Sequence, residues 1–435
     1  MSQAFEGVQV VDFTQVVAGP VATYQLGLLG AEVIKVESAA GGDIARGLLD
    51  LTGFGGGEMA PAFIGVNHNK RSIAVDLKRP EGRAAVERIV RRADVLVENF
   101  KPGVIERLGF DYETVRAWRP SIVYCSISGY GQEGPRRSMA AFDGAIQASS
   151  GMMAANGHEE TGPTRTVSPI IDVTTGMMAA FAIASALHRR QATGAGQFLD
   201  VAMLDSAVSL LNPIYNNHLA TGEEPELLGN QSLTRMPTAN VFPTADGHVQ
   251  ITALTAAQVD RLLEALGCPE LREDPRFAAE PELIANGEAM RAELCERLRR
   301  EPTGVWLERL EAAKVPAAPI ASFPEVMADP QLATRRLTAT LPAPAMLGRA
   351  ELTSVMTGYV ASADGPAART FAPRLGEHTR QILAEHGCPE AEIEALHAAG
   401  VVRSPALPDS ASEGPPTPGC GPRSAAVAVS AAVGD

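Results

Sequence analysis

Short apolar runs alternate with helix-spaced stretches over roughly the first 130 residues, and no other feature constrains the fold as much. Val8–Phe13, Glu32–Glu37, a strand within Asn67–Lys78, Asp94–Val97 and residues 121–127 read as buried strands. An apolar helix follows the first run to about Gly30, and Pro80–Ala93 has helical spacing. The links between them are short. A strand that returns to its own sheet through a helix joins it in parallel, and parallel sheets are covered on both faces. The expected class is therefore α/β, with a Rossmann-like large domain. Aromatics make up only 5% of the chain, with Trp118 and Trp306 the only tryptophans, which favours such packing over a β-sandwich.

Ligands of open parallel sheets sit beyond the carboxyl ends of the strands. Gln15, Asn99, Phe100 and Gly129 fall at those ends and are pocket candidates. Pro20 suits the first turn of the helix after the first strand, where free N–H groups face a ligand. The G-x-G-x-x-G fingerprint is absent from that turn, which argues against a dinucleotide enzyme. Lys70, Arg71, Lys78 and Arg107 read first as solvated surface charge. A net charge of −14 argues against nucleic acid or an anionic membrane as partner, so an anionic ligand needs local cations. Five scattered cysteines, without a C-x-x-C pair, indicate neither a disulfide framework nor a zinc site, and no metal is expected. No signal-peptide pattern opens the chain and no long apolar run looks lipid-facing, so a cytoplasmic location is expected.

Arg165–His188 holds a single acidic residue, Asp172, just after Pro169. The helix that follows is so apolar that its neighbours are expected to bury nearly all of it. Asp172 has two readings. It is an N-cap, accepting from amides two or three residues on, or it is a nucleophile kept ionised in a dry pocket by the positive helix end.

From about Gly222 the pattern changes. Asn240–Ile251 reads as a hairpin turning at Asp246-Gly247, followed by amphipathic helices near 255–266, 287–300 and 304–313. The expected organisation is a large domain over 1–221 and 329–403, with a smaller α+β domain at 222–328. Helices at about 377–386 and 389–398 finish it, and the Ser, Pro, Ala and Gly of 404–435 read as a disordered tail.

Several motifs together resemble one family. They are Asp12–Pro20, Leu29–Glu37, Asn69–Ile73, Val97–Phe100, Ser128-Gly129-Tyr130-Gly131, the Asp172 stretch, Thr193–Gln197, Val315–Pro319 and Ala372–Thr379. Their order and spacing over about residues 5–403 resemble the family III CoA transferases. The resemblance implies transfer of CoA between an acyl-CoA and a carboxylic acid, with CoA and acyl-CoA as substrates and no tightly bound cofactor. It implies Asp172 as nucleophile, passing through a mixed anhydride and an aspartyl-CoA thioester. The CoA-binding turn falls on Val16, Val17 and Ala18, with Gln15 before it. Asn99, Phe100, Lys101 and Arg107 match further CoA contacts, as does the segment Val75, Asp76, Leu77 and Lys78.

Departures narrow the substrate. Formyl-CoA transferases carry histidine and glutamine where this chain has Gln15 and Val17, and an arginine at Ser38. Their glycine run is replaced by Leu228–Arg235, in which the loop around Gly229–Ser232 is a candidate lid. Oxalate and formate are therefore disfavoured, and succinyl-CoA with a small dicarboxylate is expected by analogy. Arg165 and Arg235 are candidates for the second carboxylate. The α-methylacyl-CoA racemases keep a His-Asp pair where this chain has Phe142-Asp143, whereas the transferases have an aromatic and an acidic residue there, close to the nucleophile. The resemblance thus makes Phe142 and Asp143 site residues, and the transferase reading leads. A racemase-like isomerase and a non-catalytic acyl-CoA-binding protein are the alternatives. The resemblance also implies a homodimer of interlocked rings.

Overall fold

A computed structural model describes residues 3–48, 50 and 52–405. The expected tail lies outside the described residues from 406 on. In chain order the first strands are β1 (Gln9–Asp12), β2 (Glu32–Glu37), β3 (Lys70–Val75), β4 (Val95–Glu98) and β5 (Val123–Ser128). A small hairpin, β6 (Gly157–His158) and β7 (Gly162–Pro163), precedes β8 (Gln197–Ala202). Then come β9 (Ala239–Pro243), β10 (His248–Thr252), β11 (Ala317–Pro319), β12 (Thr338–Pro342), β13 (Glu351–Val355) and β14 (Val402–Arg403).

Two compact units divide the chain. The larger comprises the chain up to Asp143, Ile170–Ser206 and the chain from Leu337 on. Its seven-stranded sheet runs β14-β3-β2-β1-β4-β5-β8, parallel throughout except for β14, which joins β3 antiparallel. Alternate residues of each strand feed two layers of core, because the side-chain period is two. Val11, Ile34, Ile73 and Leu96 pack with the helices Pro80–Val90, Thr379–Glu385 and Glu390–Ala398. Val10, Val33, Val95, Val97 and Cys125 pack with the first helix, Ala18–Leu28, and the long helix, Ile170–Thr193.

The second unit comprises Gly144–Pro169 and Ala207–Arg336. Its sheet, β11-β10-β9, is antiparallel, and Thr244 N–H donates to the Gly247 carbonyl at 2.9 Å across the expected Asp246-Gly247 turn. Trp306 is a core residue there, 3% exposed. The unit boundaries differ from the expected 221/222 and 328/329. Residues 144–169 belong with this unit because His158 bridges Leu228 and the Tyr215 hydroxyl donates to the Ser150 carbonyl at 2.8 Å. Those bonds join segments far apart in sequence, which composition does not register.

The long helix departs from expectation in burial. Ile171, Thr175, Gly176, Ala179, Ile183, Ala186 and Leu187 face the core, but Val173, Met177, Met178 and Phe181 are exposed, the last at 69%. The helix is also long and apolar enough to cross a membrane by length and composition. Its core-facing stripe recurs every three or four residues, as one face of a packed helix does.

Gly176 allows the closest approach in this layer. A Cβ there would stand 2.5 Å from the Ala18 carbonyl oxygen and 2.7 Å from Val21 Cβ. Gly176→Val should therefore destabilise the fold by about 2 kcal/mol or more through overpacking. Gly304→Ala, in open space on a helix, should cost nothing. Chemical denaturation of both variants tests this, and an unchanged midpoint for Gly176→Val would refute the contact.

Candidate active site

Asp172 lies inside the first turn of the long helix and is not its cap. That work falls to Asp143, which accepts from the Ile171 N–H at 2.8 Å and, from 29 residues away in sequence, from the Asp172 N–H at 3.2 Å. The capping alternative for Asp172 is thereby corrected. Among the described residues no hydrogen bond reaches the Asp172 carboxylate. Burial pushes its pKa up and the nearby Asp143 charge pushes it further, to about 7. Two carboxylates share one helix end.

Asp172 and Gly176 are four residues apart, so they share one face of the helix. Gly176 touches the start of the first helix, so Asp172 stands one helical turn from that contact. No side chain caps the first helix, Pro20 has no N–H and the Val21 N–H donates to the Val17 carbonyl, so the uncapped amides at this positive dipole end are those of Ala18 and Gly19. The turn is fixed in place. Asn99 accepts from the Gln15 N–H and donates to the Gln15 carbonyl, both at 2.8 Å. Val16 adopts a left-handed φ of 67°, unusual for a β-branched residue. Val17 is half-buried and Ala18 is buried.

β1, β3 and β4 end on the same edge of the sheet, which collects most of the expected residues. Phe100 is half-buried, and its N–H donates to Glu98 at 2.9 Å. Burial raises the Glu98 carboxyl to about 7, and the Ser126 hydroxyl also bonds it. Lys101 and Arg107 are exposed cations next along the chain. Asp76 and Leu77 are half-buried and Lys78 is exposed. Val75 is a correction. Its side chain is in the core at 1% exposure and it pairs with Val402 of β14, so the side chain offers no surface to a ligand. Phe142 is exposed and directly precedes Asp143.

Lys70 is the largest correction to the charge reading. It is 1% exposed and pairs with Asp12 at 3.0 Å, because β3 is an interior strand and its first residue reaches the Pro20 carbonyl and the Thr23 hydroxyl of the first helix. Arg71 is bound on the surface by Glu32 and Glu385. Sequence reasoning also missed Lys35 and Asp43, both fully buried and ion-paired at 3.0 Å. A charged residue at the centre of the Glu32–Glu37 run was the available signal. In the second unit Leu228 and Gly229 are tied to the β6–β7 hairpin, with Gly229 N–H donating to Gly157 at 2.7 Å. Arg235 pairs with Glu226 at 3.0 Å, and Arg165 is exposed. Among the described residues no group of three or more His, Cys, Asp or Glu side chains is placed to hold a metal ion.

Comparison with known proteins agrees with this geometry. Residues 5–379 match the model of CoA-transferase family III. A succinate–glutarate CoA-transferase of Agrobacterium fabrum is 36% identical, over 87% of this chain and 94% of its own. An acetyl-CoA:oxalate CoA-transferase of Acetobacter aceti is also 36% identical, over 89% and 97%. A crystal structure of a CaiB/BaiF family protein from Brucella suis superposes with a TM-score of 0.79 at 34% identity, covering 89% of this chain and all of that one. The chain, with Asp172 in the first turn of a helix packed on the large sheet, belongs to CoA-transferase family III and is a CoA transferase.

Proposed function

We propose that this enzyme moves CoA from succinyl-CoA, or a similar short acyl-CoA, to a small dicarboxylate through covalent intermediates on Asp172. The observation that carries the reading is Asp172 itself, half-buried, with no hydrogen bond to its carboxylate among the described residues, and one helical turn from the contact with the first helix. Named relatives act on succinate and glutarate, on succinyl-CoA and mesaconate, and on acetyl-CoA and oxalate. A dicarboxylate is common to all three.

An Asp172 carboxylate oxygen attacks the thioester carbonyl, and the C–S bond breaks to give a mixed anhydride and CoA thiolate. The thiolate attacks the Asp172 carbonyl carbon, and the donor acid leaves as its carboxylate. The acceptor carboxylate then attacks the aspartyl thioester, expelling thiolate and forming a second anhydride. Thiolate attack on the acceptor acyl carbon completes the transfer and regenerates Asp172. No proton or water is consumed, so exclusion of water protects the anhydrides. Amides at the first helix are the proposed donors to the tetrahedral oxyanions. Lys78, Lys101 and Arg107 are the proposed partners of the CoA phosphates, local cations on an acidic protein. Phe142 has no proton to exchange, which leaves a racemase without its acid/base group.

The exposed Val173, Met177, Met178 and Phe181 support a homodimer, which we propose is ring-linked as in the family. Sedimentation equilibrium should then give twice the chain mass at micromolar concentration, and a monomer there overturns the dimer.

Incubation with succinyl-CoA followed by hydroxylamine or borohydride should modify only the peptide containing Asp172. Asp172→Asn should lose the adduct and reduce turnover on the order of 10⁴-fold. An adduct that survives in the variant rules out the relay. The pair also predicts a pH signature. Attack needs ionised Asp172, whose pKa is raised to about 7, so kcat/KM should fall as pH drops through that range. Asp143→Asn removes a like charge and should move this limb to lower pH. The same shift has a stability sign. An aspartate with a folded pKa above its unfolded value stabilises the fold at low pH and loses that contribution as pH rises to about 7. Asp172→Asn should thus raise Tm more at pH 8 than at pH 5, and an equal change at both would contradict the burial argument.

A further inference from the structure

Side chains, most of them from other segments, hold nearly every backbone polar group of Thr14–Val16. Thr14 N–H donates to Asp12 at 2.9 Å, and its carbonyl accepts from Lys35 Nζ at 2.7 Å. Asn99 takes both polar groups of Gln15. Val16 N–H donates to Asp43 Oδ1 at 3.0 Å. Asp43 is itself held, by the ion pair to Lys35 at 3.0 Å and by its own N–H donating to Glu37 at 3.1 Å. Arg46 grips Glu37 with two bonds of 2.7 Å, and Ser72 adds a third at 2.6 Å. Strand register sets this up, since Asp12 pairs with Lys35 and Lys35 with Ser72.

Such a cluster is a poor way to gain stability. Apolar replacements of buried ion pairs are often as stable or more so, whereas charged groups with directed bonds specify one geometry. The geometry specified here is uncommon. Val16 stands at φ 67°, a conformation that glycine or asparagine adopts more readily, yet a β-branched side chain occupies it. Backbone strain of this kind persists where the surroundings over-determine it, and it gathers at ligand clamps.

We infer that Asp43 and Lys35 are positioning residues that hold the Thr14–Val16 turn, and with it the amides opening the first helix, in the shape that receives a CoA thioester before the ligand arrives. The inference rests on the reading that this turn binds CoA. Neither residue needs to touch the ligand. Asp43 acts through the Val16 amide and Lys35 through the Thr14 carbonyl.

Titration calorimetry with CoA, paired with steady-state kinetics, tests the clamp. Asp43→Ala leaves Lys35 its bond to Thr14 and its neighbour Asp12, and should weaken CoA binding on the order of tenfold. Donor KM should rise in parallel, kcat should fall with it because the same amides are the proposed oxyanion donors, and acceptor KM should stay the same. Asp43→Asn keeps an oxygen for the Val16 amide and should recover most of the lost affinity. Hydrogen exchange on the wild-type chain gives a readout that needs no variant. The peptide spanning residues 14–16 should be protected without CoA and change little when CoA is added. Protection that appears only with CoA overturns the clamp, as does wild-type CoA affinity in folded Asp43→Ala. A wild-type chain that binds no CoA would instead sink the reading of the turn itself.

Discussion

Contact between Gly176 and the Ala18 carbonyl is the constraint on which the active site depends. Two helices that approach at the level of backbone atoms cannot slide or separate without leaving voids or clashes. The first helix is already fixed at its start by the bonds on residues 14–16, so the contact transfers that fixed position to the long helix. Asp172 is carried one turn from the contact. The nucleophile is thus located by backbone packing and not by bonds to its own carboxylate, which stays free for chemistry. Asp143 completes the arrangement by taking the amides at the helix end. Had Asp172 taken them, its charge would have been stabilised and its nucleophilicity reduced.

Much of the large sheet was legible. β1, β2, β4 and β5 each carry a short buried apolar stretch because interior parallel strands are covered on both sides, and Gln15, Asn99 and Phe100 fell just beyond carboxyl ends of the same sheet. β8 was not read as a strand. Its sequence, Gln197–Ala202, alternates in burial at the sheet edge and carries Asp200, so it lacks the apolar run of its neighbours. β14 is two residues long, below any periodicity.

The site was legible unevenly. Asp172 stood out as the only acid of its stretch, but its partner Asp143 acts from a separate segment through backbone amides, and no spacing rule links the two. Lys35 and Lys70 look like surface charge because lysine usually is. Their burial follows from strand register, which brings Asp12 beside Lys35 and places Lys70 under the first helix. Exposed Met177, Met178 and Phe181 mark the opposite limit. Hydrophobicity foretold burial, and a single chain buries only one side of that helix.

β14 has a consequence for how the molecule is made. It pairs Val402 and Arg403 with Val75 and Ala74, and the Arg403 carbonyl accepts from Thr379, whose hydroxyl also receives the Ala74 N–H. One edge of the main sheet is therefore closed by residues some three hundred positions after the strand they cover. During synthesis β3 presents an open row of amides and carbonyls until nearly the whole chain has left the ribosome, an interval in which strand edges invite wrong partners. The larger unit is completed last at its oldest end, so truncation shortly before residue 402 removes little mass but leaves the sheet edge unsealed.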